Sequence, residues 1–233
     1  AEIEVYRRRM QLTDPFIVEN GAAIFIPKGY FPEVFLRSGK APFRTCGDYD
    51  CLKLGRPYKD LIRTLVEIQT EAGISLIGFH QMDEDEIIRE TGLDRMQARL
   101  AARREYDEPF LIRGNVSRAQ TRRLKSLAAQ RSCMIVQGGR FYHLTGKSDK
   151  GRAVRTLMRL YRAARETQIF LGLGDSENDL SLLRSVDVPI LMAKPDGSFD
   201  PEVLKRIPDV RRAPAGPEGW RQSVSALLQD QTS

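Results

Sequence analysis

Cysteine is scarce in this sequence, with three residues among 233: Cys46, Cys51 and Cys133. Their number and uneven spacing exclude a disulfide framework, and the first two lack the spacing and the second pair typical of a zinc site. Long apolar runs are also absent, since no stretch approaches the ~20 residues of a membrane-spanning helix, and no signal peptide is visible. We therefore expect a cytoplasmic protein without a membrane partner.

The composition is that of a folded, basic protein. Hydrophobic residues make up 41% and charged residues 29%, which suits one large or two modest domains. The net charge is +6, and arginine runs such as Arg7–Arg9 and Arg122–Arg123 are compatible with a nucleic-acid surface. The runs are scattered, however, and no aromatic residues are interleaved with them. This pattern favours solvated helix faces, with a positive field that would attract an anionic metabolite.

Two carboxylates follow an apolar run near the end of the chain. Ile169–Leu173 predicts a strand, and the polar stretch after it predicts the start of a helix. Asp175 and Asp179 are four residues apart, so we expect them to share one helical face at the carboxyl end of the strand. Open α/β sheets bind their ligands at that end. The spacing thus predicts a metal and phosphate site, and a surface helix capped by Asp175 is the alternative.

Polar neighbours support the ligand interpretation of this turn. Ser176 and Asn178 lie at the same predicted helix start, where backbone N–H groups favour anions. A calcium-binding EF-hand loop is disfavoured, because Leu180 occupies the position where such a loop needs glycine.

A lysine upstream is placed against its electrostatic preference. Ser148 or Asp149 can cap a helix whose apolar positions follow helical spacing, so Lys150 lies in the first turn. A cation there opposes the helix dipole unless a negative ligand or a carboxylate compensates it. A strand and the two aspartates follow within one helix length, as in a βαβ unit that brings the lysine and the carboxylates to one sheet edge. A solvated lysine is the alternative.

These residues carry a family resemblance. Lys150-Gly151 followed by Gly174-Asp-Ser-Glu-Asn-Asp179 resembles the third and fourth motifs of the haloacid dehalogenase superfamily, in its sugar-phosphatase branch with a large inserted cap. Together with Ser148–Gly151, the segments Pro15–Phe25, Arg104–Phe110 and Gly138–His143 resemble the mannosyl-3-phosphoglycerate phosphatases. The first of these three is shared across the branch, whereas the other two point to the narrower family. The resemblance covers most of the chain.

The resemblance implies a fold and a chemistry. The expected fold is α/β, with a Rossmann-like core of parallel sheet and flanking helices and an inserted α/β cap. The expected activity is Mg²⁺-dependent removal of phosphate from a phosphorylated sugar-glycerate, mannosyl-3-phosphoglycerate by analogy, through an aspartyl-phosphate. Asp175 would ligate Mg²⁺, Lys150 would neutralise phosphoryl oxygens, Asp179 would hold Lys150, and Asn178 would orient the site.

Substrate contacts are also implied, mostly outside these motifs. The candidate residues are Asn20, Gly21, Arg113, Gly138, Gly139, Arg140, His143 and Ser176. Turn-forming glycines without a ligand, a structural histidine and exposed arginines are the alternatives for this group.

The chain departs from the family in one respect. Members begin with an apolar strand ending in Asp-x-Asp-x-Thr, which supplies the nucleophile, and this motif is not found here. Asp48–Leu52 is the only similar segment, and we interpret it as a polar loop because Arg44–Gly47 before it is not an apolar strand. We expect the nucleophile to come from residues not shown. A phosphosugar-binding or regulatory protein without catalysis and a basic nucleic-acid binder are the other hypotheses.

The order of predicted elements indicates a core interrupted by a cap. We assign residues 1–55 to the first part of the core, 56–145 to the cap and 146–233 to the second part of the core. A hairpin is predicted around Asn20-Gly21 and a loop from 27 to 55. A helix over Tyr58–Ala72, a helix capped by Ser117, and pairing of 133–136 with 141–144 are predicted within the cap.

Overall fold

A computed structural model describes residues 2–37, 43–138, 140–164 and 168–230. Gly139, one of the predicted substrate contacts, lies outside these residues. The helices are α1 (Glu2–Arg9), α2 (Glu33–Arg37), α3 (Tyr58–Ala72), α4 (Glu84–Thr91), α5 (Arg95–Ala101), α6 (Arg118–Gln130), α7 (Lys150–Ala164), α8 (Leu180–Leu183), α9 (Pro201–Arg206) and α10 (Gly216–Asp230). The strands are β1 (Phe16–Val18), β2 (Ala23–Pro27), β3 (Arg44–Cys46), β4 (Tyr49–Lys53), β5 (Leu76–Gly78), β6 (Asp107–Ile112), β7 (Cys133–Gly138), β8 (Phe141–Gly146), β9 (Leu171–Gly174), β10 (Val188–Met192) and β11 (Arg211–Ala213).

The chain forms two compact units. The first contains Ala1–Pro27 and Lys53–Ser148, and the second contains Lys28–Leu52 and Asp149–Ser233. We predicted domain boundaries after residues 55 and 145, with residues 1–55 in the core, whereas residues up to Pro27 group here with the first unit. The assignment of the units as cap and core stays a prediction. No described helix is both long enough and apolar enough to cross a membrane.

An antiparallel sheet in the order β5-β6-β8-β7 is the centre of the first unit. One face packs against α3 and α6 through buried residues that include Leu61, Phe110 and Leu144. The other face packs partly against α4 and α5, with Ile87 and Phe141 in its core. The alternation of side chains along each strand therefore divides the buried residues between two separate cores.

The second unit is built on a parallel sheet in the order β11-β10-β9. Leu180 and Leu183 of α8 pack with Leu191 of β10 and Val203 of α9 in its core. Parallel neighbouring strands bring their carboxyl ends to one edge. Residues that follow β9 and β10 consequently lie at the same edge of this sheet.

Many predicted elements are present. Helix α3 has the predicted bounds, Ser117 caps α6 by accepting a hydrogen bond from the N–H of Gln120, and β7 pairs with β8. At the predicted hairpin between β1 and β2, Asn20 has φ 56° and Gly21 has φ 91°. A tight turn of this kind needs residues that tolerate positive φ.

The prediction of a loop from residue 27 to residue 55 was wrong. This region contains α2 and a hairpin in which β3 pairs with β4, so Asp48–Leu52 is turn and strand rather than loop. Gly47, with φ 61°, and Asp48 form the two-residue turn, and Cys51 is buried. The Gly-Asp pair was the available signal. It was missed because the short strands are not uniformly apolar.

Candidate active site

An ion pair between α7 and the turn after β9 is the centre of the candidate site. Nζ of Lys150 donates to Oδ1 of Asp179 at 2.6 Å. Both side chains are mostly buried, with 25% and 11% of their surfaces exposed. Lys150 is the first residue of α7, where the helix dipole disfavours a cation. The Asp179 carboxylate compensates that disfavoured charge.

Close packing of α7 on α8 holds this lysine in place. A Cβ added at Gly151 would overlap the carbonyl oxygen of Ser181. The N–H of Gly151 donates to Oδ1 of Asp149 at 2.8 Å and lies 3.2 Å from the Ser181 hydroxyl oxygen. Glycine after Lys150 thus permits the helix approach that sets the position of the lysine.

Asp179 accepts hydrogen bonds from its own turn as well as from Lys150. Its Oδ2 accepts hydrogen bonds from the backbone N–H of Asp175 at 3.1 Å and from the hydroxyl of Ser176 at 3.3 Å. Burial by itself would raise the pKa of Asp179, but the hydrogen bond and charge of Lys150 and these two donors outweigh it and hold the pKa below the usual aspartate value. Asp179 is therefore an anion at neutral pH.

The expectation that Asp175 and Asp179 share a helical face was wrong. Residues Glu177–Asp179 form a short 3-10 turn, and the α-helix begins only at Leu180. Gly174 makes the tight turn possible, since a Cβ there would overlap the side chain of Asp179. The two aspartates meet through a backbone hydrogen bond rather than through helical spacing, and Asp175 does not act as a side-chain cap.

Asp175 is the carboxylate that remains available to a ligand. It is exposed at the carboxyl end of β9, and its carboxylate makes no hydrogen bond or ion pair within the described residues. Mg²⁺ is commonly held by one or two carboxylates together with water and phosphate oxygens. A single free carboxylate in the same turn as the Lys150–Asp179 ion pair fits such a site. Among the described residues, no cluster of three or more acidic, histidine or cysteine side chains is arranged to hold a metal.

A pocket of about 640 Å³ opens beside these aspartates, within the second unit. Gly174, Asp175 and Asp179 line one side, and Met192 and Trp220 contribute apolar surface. Trp220, on α10, is 56% exposed. Nothing in the sequence indicates this apolar wall, because α10 lies far along the chain and has no motif that links it to the site.

The predicted arginines of the first unit converge on one carboxylate. Glu90, at the end of α4, lies 2.7 Å from Nη2 of Arg140 and 3.6 Å from Nη2 of Arg113. Only 10% of the Glu90 side chain is exposed. Glu90 was not predicted, since nothing in the sequence of α4 indicates that an arginine just after β6 and another in the β7–β8 turn would meet there.

A second carboxylate, that of Asp107, holds His143 and was not among the predicted site residues. Nδ1 of His143 lies 3.0 Å and 3.1 Å from the two carboxylate oxygens of Asp107, which also accepts from Nη1 of Arg104 at 2.6 Å. Gly138 lies beside the other ring nitrogen of His143. Asp107 could have been noticed because it falls within the Arg104–Phe110 segment that carries the resemblance.

The remaining predicted residues have separate positions. Asn20 and Gly21 form the β1–β2 turn, and the neighbouring Glu19 accepts the backbone N–H of Tyr106 at 2.7 Å. The turn is thereby joined to the loop before β6. Asn178 is exposed in the 3-10 turn, and Ser176 is engaged with Asp179. The roles of all these residues in substrate binding or catalysis stay predictions.

Solved structures define the fold class. The structure aligns with a phosphatase of the haloalkanoate (HAD) enzyme superfamily from Bacteroides thetaiotaomicron at TM-score 0.60 and 11% identity, covering 97% of this chain and 78% of the other. It aligns with a sugar phosphatase of HAD subclass IIB at TM-score 0.55 and 13% identity, covering 98% and 79%. The predicted Rossmann-like haloacid dehalogenase fold is confirmed.

Sequence relatives define the family. A glucosyl-3-phosphoglycerate/mannosyl-3-phosphoglycerate phosphatase from Methanococcoides burtonii is 36% identical over 229 residues, which are 98% of this chain and 81% of the relative. A mannosyl-3-phosphoglycerate phosphatase from Pyrococcus furiosus is 32% identical over 192 residues, covering 82% and 73%. No family model matches the chain. The chain belongs to the glucosyl- and mannosyl-3-phosphoglycerate phosphatase family of haloacid dehalogenase phosphatases, as its motifs predicted.

Proposed function

We propose that this protein removes phosphate from mannosyl-3-phosphoglycerate or from a closely related sugar phosphoglycerate, in a reaction that depends on Mg²⁺. The observation that carries the proposal is the site at the end of β9. There Lys150 and Asp179 form a mostly buried ion pair. The backbone N–H of Asp175, whose own carboxylate is free, donates to Asp179 in the same turn. The names of two relatives, which act on glucosyl- or mannosyl-3-phosphoglycerate, support the substrate class.

The proposed reaction has two steps. An aspartate attacks phosphorus, the bond between phosphorus and the glycerate oxygen breaks, and an aspartyl-phosphate forms. Water then hydrolyses the aspartyl-phosphate, which releases inorganic phosphate and restores the carboxylate. We do not assign the attacking aspartate to any residue of this sequence.

Lys150 has a defined part in this scheme. Its ammonium neutralises the charge on the phosphoryl oxygens, which is largest in the transition state. Asp179 fixes that ammonium through the 2.6 Å hydrogen bond. Because the carboxylate is itself held by the N–H of Asp175 and the hydroxyl of Ser176, the lysine is oriented before the substrate arrives. Asn178, in the same turn, is proposed to orient the bound phosphate.

Asp175 would hold the metal ion. A bound Mg²⁺ supplies positive charge that draws electron density from the phosphoryl oxygens.

We further propose that the protein works in a reducing cytoplasm, which agrees with three free cysteines among the described residues. The predicted substrate contacts of the first unit would select the sugar-glycerate group.

The test uses the protein produced from its complete gene. Phosphate release would be measured with mannosyl-3-phosphoglycerate, glucosyl-3-phosphoglycerate and mannose 6-phosphate, before and after chelation by EDTA and after Mg²⁺ is restored. We expect release from the sugar phosphoglycerates, its loss with EDTA and its recovery with Mg²⁺. A folded protein that binds these substrates without releasing phosphate would support the non-catalytic phosphosugar-binding alternative instead.

A further inference from the structure

Two consecutive acidic residues of β6 each contact one of the two histidines of the chain. Asp107 contacts Nδ1 of His143, and Glu108 contacts Nδ1 of His80 at 2.6 Å. Neighbouring side chains of a strand lie on opposite faces of a sheet. The two pairs are therefore separate, and the His80–Glu108 pair, with Glu108 fully buried, is part of the protein interior.

The Asp107 carboxylate fixes the orientation of the His143 ring. Only 8% of the Asp107 side chain is exposed, and Arg104 forms a 2.6 Å ion pair with its carboxylate. A carboxylate anion can only accept hydrogen bonds, so Nδ1 of His143 must be the donor. In the neutral imidazole the other nitrogen, Nε2, is then an acceptor.

That acceptor is available to a ligand. Nε2 of His143 makes no hydrogen bond within the described residues, and the histidine side chain is 28% exposed. A Cβ added at Gly138 would lie 3.1 Å from Nε2, closer than an ordinary contact. Glycine at this position leaves open the approach to Nε2 that any other side chain would obstruct.

Apolar surface lies next to the acceptor. Val136 pairs directly with His143 across β7 and β8, and it shares a face of β7 with Met134 and Gly138. Val136 is 42% exposed and Met134 is 40% exposed. Ligand sites typically combine apolar surface with a few polar groups that fix orientation. A sugar ring matches this surface, since its C–H groups can pack on Val136 while a hydroxyl group donates to Nε2.

We propose that Asp107 is a positioning residue that holds His143 in the Nδ1–H form. Nε2 of His143 then accepts a hydrogen bond from a hydroxyl group of the sugar portion of the substrate. This inference rests on the proposed function for the identity of the sugar. The state of the imidazole, however, follows from the first unit alone and can be measured without turnover.

The first test is long-range ¹H–¹⁵N NMR of the protein produced from its complete gene, at a pH where both histidines are neutral. With only two histidines in the described chain, His143→Ala assigns the signals. We expect His143 to carry its proton on Nδ1 and to have an unprotonated Nε2. Asp107→Asn should shift His143 toward the other tautomer, while His80 serves as the internal reference. A proton on Nε2 of His143 in the unsubstituted protein would overturn the proposal.

The second test separates positioning from folding. His143→Ala and Asp107→Asn should each raise KM for mannosyl-3-phosphoglycerate about 3- to 10-fold, the value of one hydrogen bond, with kcat nearly unchanged. The double variant should be no worse than the single ones, because the two residues act as a unit. Hydrolysis of p-nitrophenyl phosphate should not change. Glu71→Gln, which removes a surface partner of Arg131 in the same unit, is the matched control.

The outcomes distinguish this inference from the proposed function. Equal losses of activity on mannosyl-3-phosphoglycerate and on p-nitrophenyl phosphate would overturn the positioning role. So would effects of the two substitutions that add up in the double variant. If the unsubstituted protein hydrolyses p-nitrophenyl phosphate but not the sugar phosphoglycerate, the proposed substrate is wrong, and the NMR result still decides the state of His143. If Asp107→Asn does not fold, His143→Ala and the NMR spectrum of the unsubstituted protein decide the inference.

Discussion

Lys150 and Asp179 form a 2.6 Å ion pair although 29 residues separate them in the sequence. The pair joins the first turn of α7 to the turn after β9, and both side chains are mostly buried. Breaking a partly buried pair by removing one partner leaves the other charge uncompensated, which is costly. The pair therefore stabilises the second unit as well as placing a cation at the edge of its sheet.

Replacing Lys150 with alanine should reduce kcat by about 10²- to 10³-fold, since preorganised electrostatic groups typically contribute that much to turnover. Steady-state kinetics with a sugar phosphoglycerate and circular dichroism would measure activity and folding together. Lys125→Ala, at an exposed position of α6, is the control and should leave kcat unchanged. A higher KM with unaltered kcat would mean that Lys150 only binds the substrate.

Replacing Asp175 with alanine should abolish Mg²⁺-dependent phosphate release and leave the melting temperature nearly unchanged. The fold should tolerate the change because the exposed carboxylate makes no hydrogen bond within the described part of the chain. Isothermal titration with Mg²⁺ would show the loss of binding directly. Asp209→Ala removes a comparable exposed aspartate from the same unit. Normal Mg²⁺ binding by Asp175→Ala would contradict the metal assignment.

Replacing Gly151 with alanine should lower both stability and turnover. Glycine to alanine inside a helix usually stabilises by about 1 kcal/mol, but the new methyl group would overlap the Ser181 carbonyl, and such overpacking costs about 1–3 kcal/mol. The α7–α8 packing would widen and displace Lys150 from Asp179. Thermal melts and kcat, with Arg152→Ala as the control, would check this. A rise in melting temperature would show that the close approach is not required.

The stabilising effect of Asp179 should depend on pH. Its pKa is lowered in the folded state, so its contribution is fully present above the unfolded-state pKa of about 3.9 and is lost as pH falls through the lower folded-state pKa. Asp179→Asn should therefore be less stable than the unsubstituted protein at pH 7. The difference should shrink below about pH 4. Urea unfolding at several pH values would measure it, and a gap that widens on acidification would contradict the lowered pKa.

Local patterns in the sequence were sufficient for much of the secondary structure. Apolar spacing predicted α3, the serine at 117 predicted the start of α6, and the alternating segments around Gly138 predicted the β7–β8 pair. These features depend on interactions within a few residues, namely capping, helical periodicity and turn chemistry. The motifs around Lys150 and Asp175 likewise predicted the family, because they are short and local.

Local patterns failed where neighbouring elements decided the structure. The hairpin of β3 and β4 was missed since its strands are short and mixed in polarity, and the helical spacing of Asp175 and Asp179 was wrong because a tight turn at Gly174 replaces the first helical turn. In both places the backbone geometry depends on contacts that hydrophobic spacing does not describe.

The sequence by itself determined the family, the α/β elements and the candidate residues of the site. For the arginines and His143 of the first unit, only the tertiary structure decided which carboxylate each side chain meets: Glu90 pairs with Arg113 and Arg140, and Asp107 contacts Arg104 and His143. The physical reason is that a charged side chain can pair with any opposite charge within a few ångströms. Its partner is therefore set by how distant strands and helices pack, and spacing along the chain carries no record of that choice.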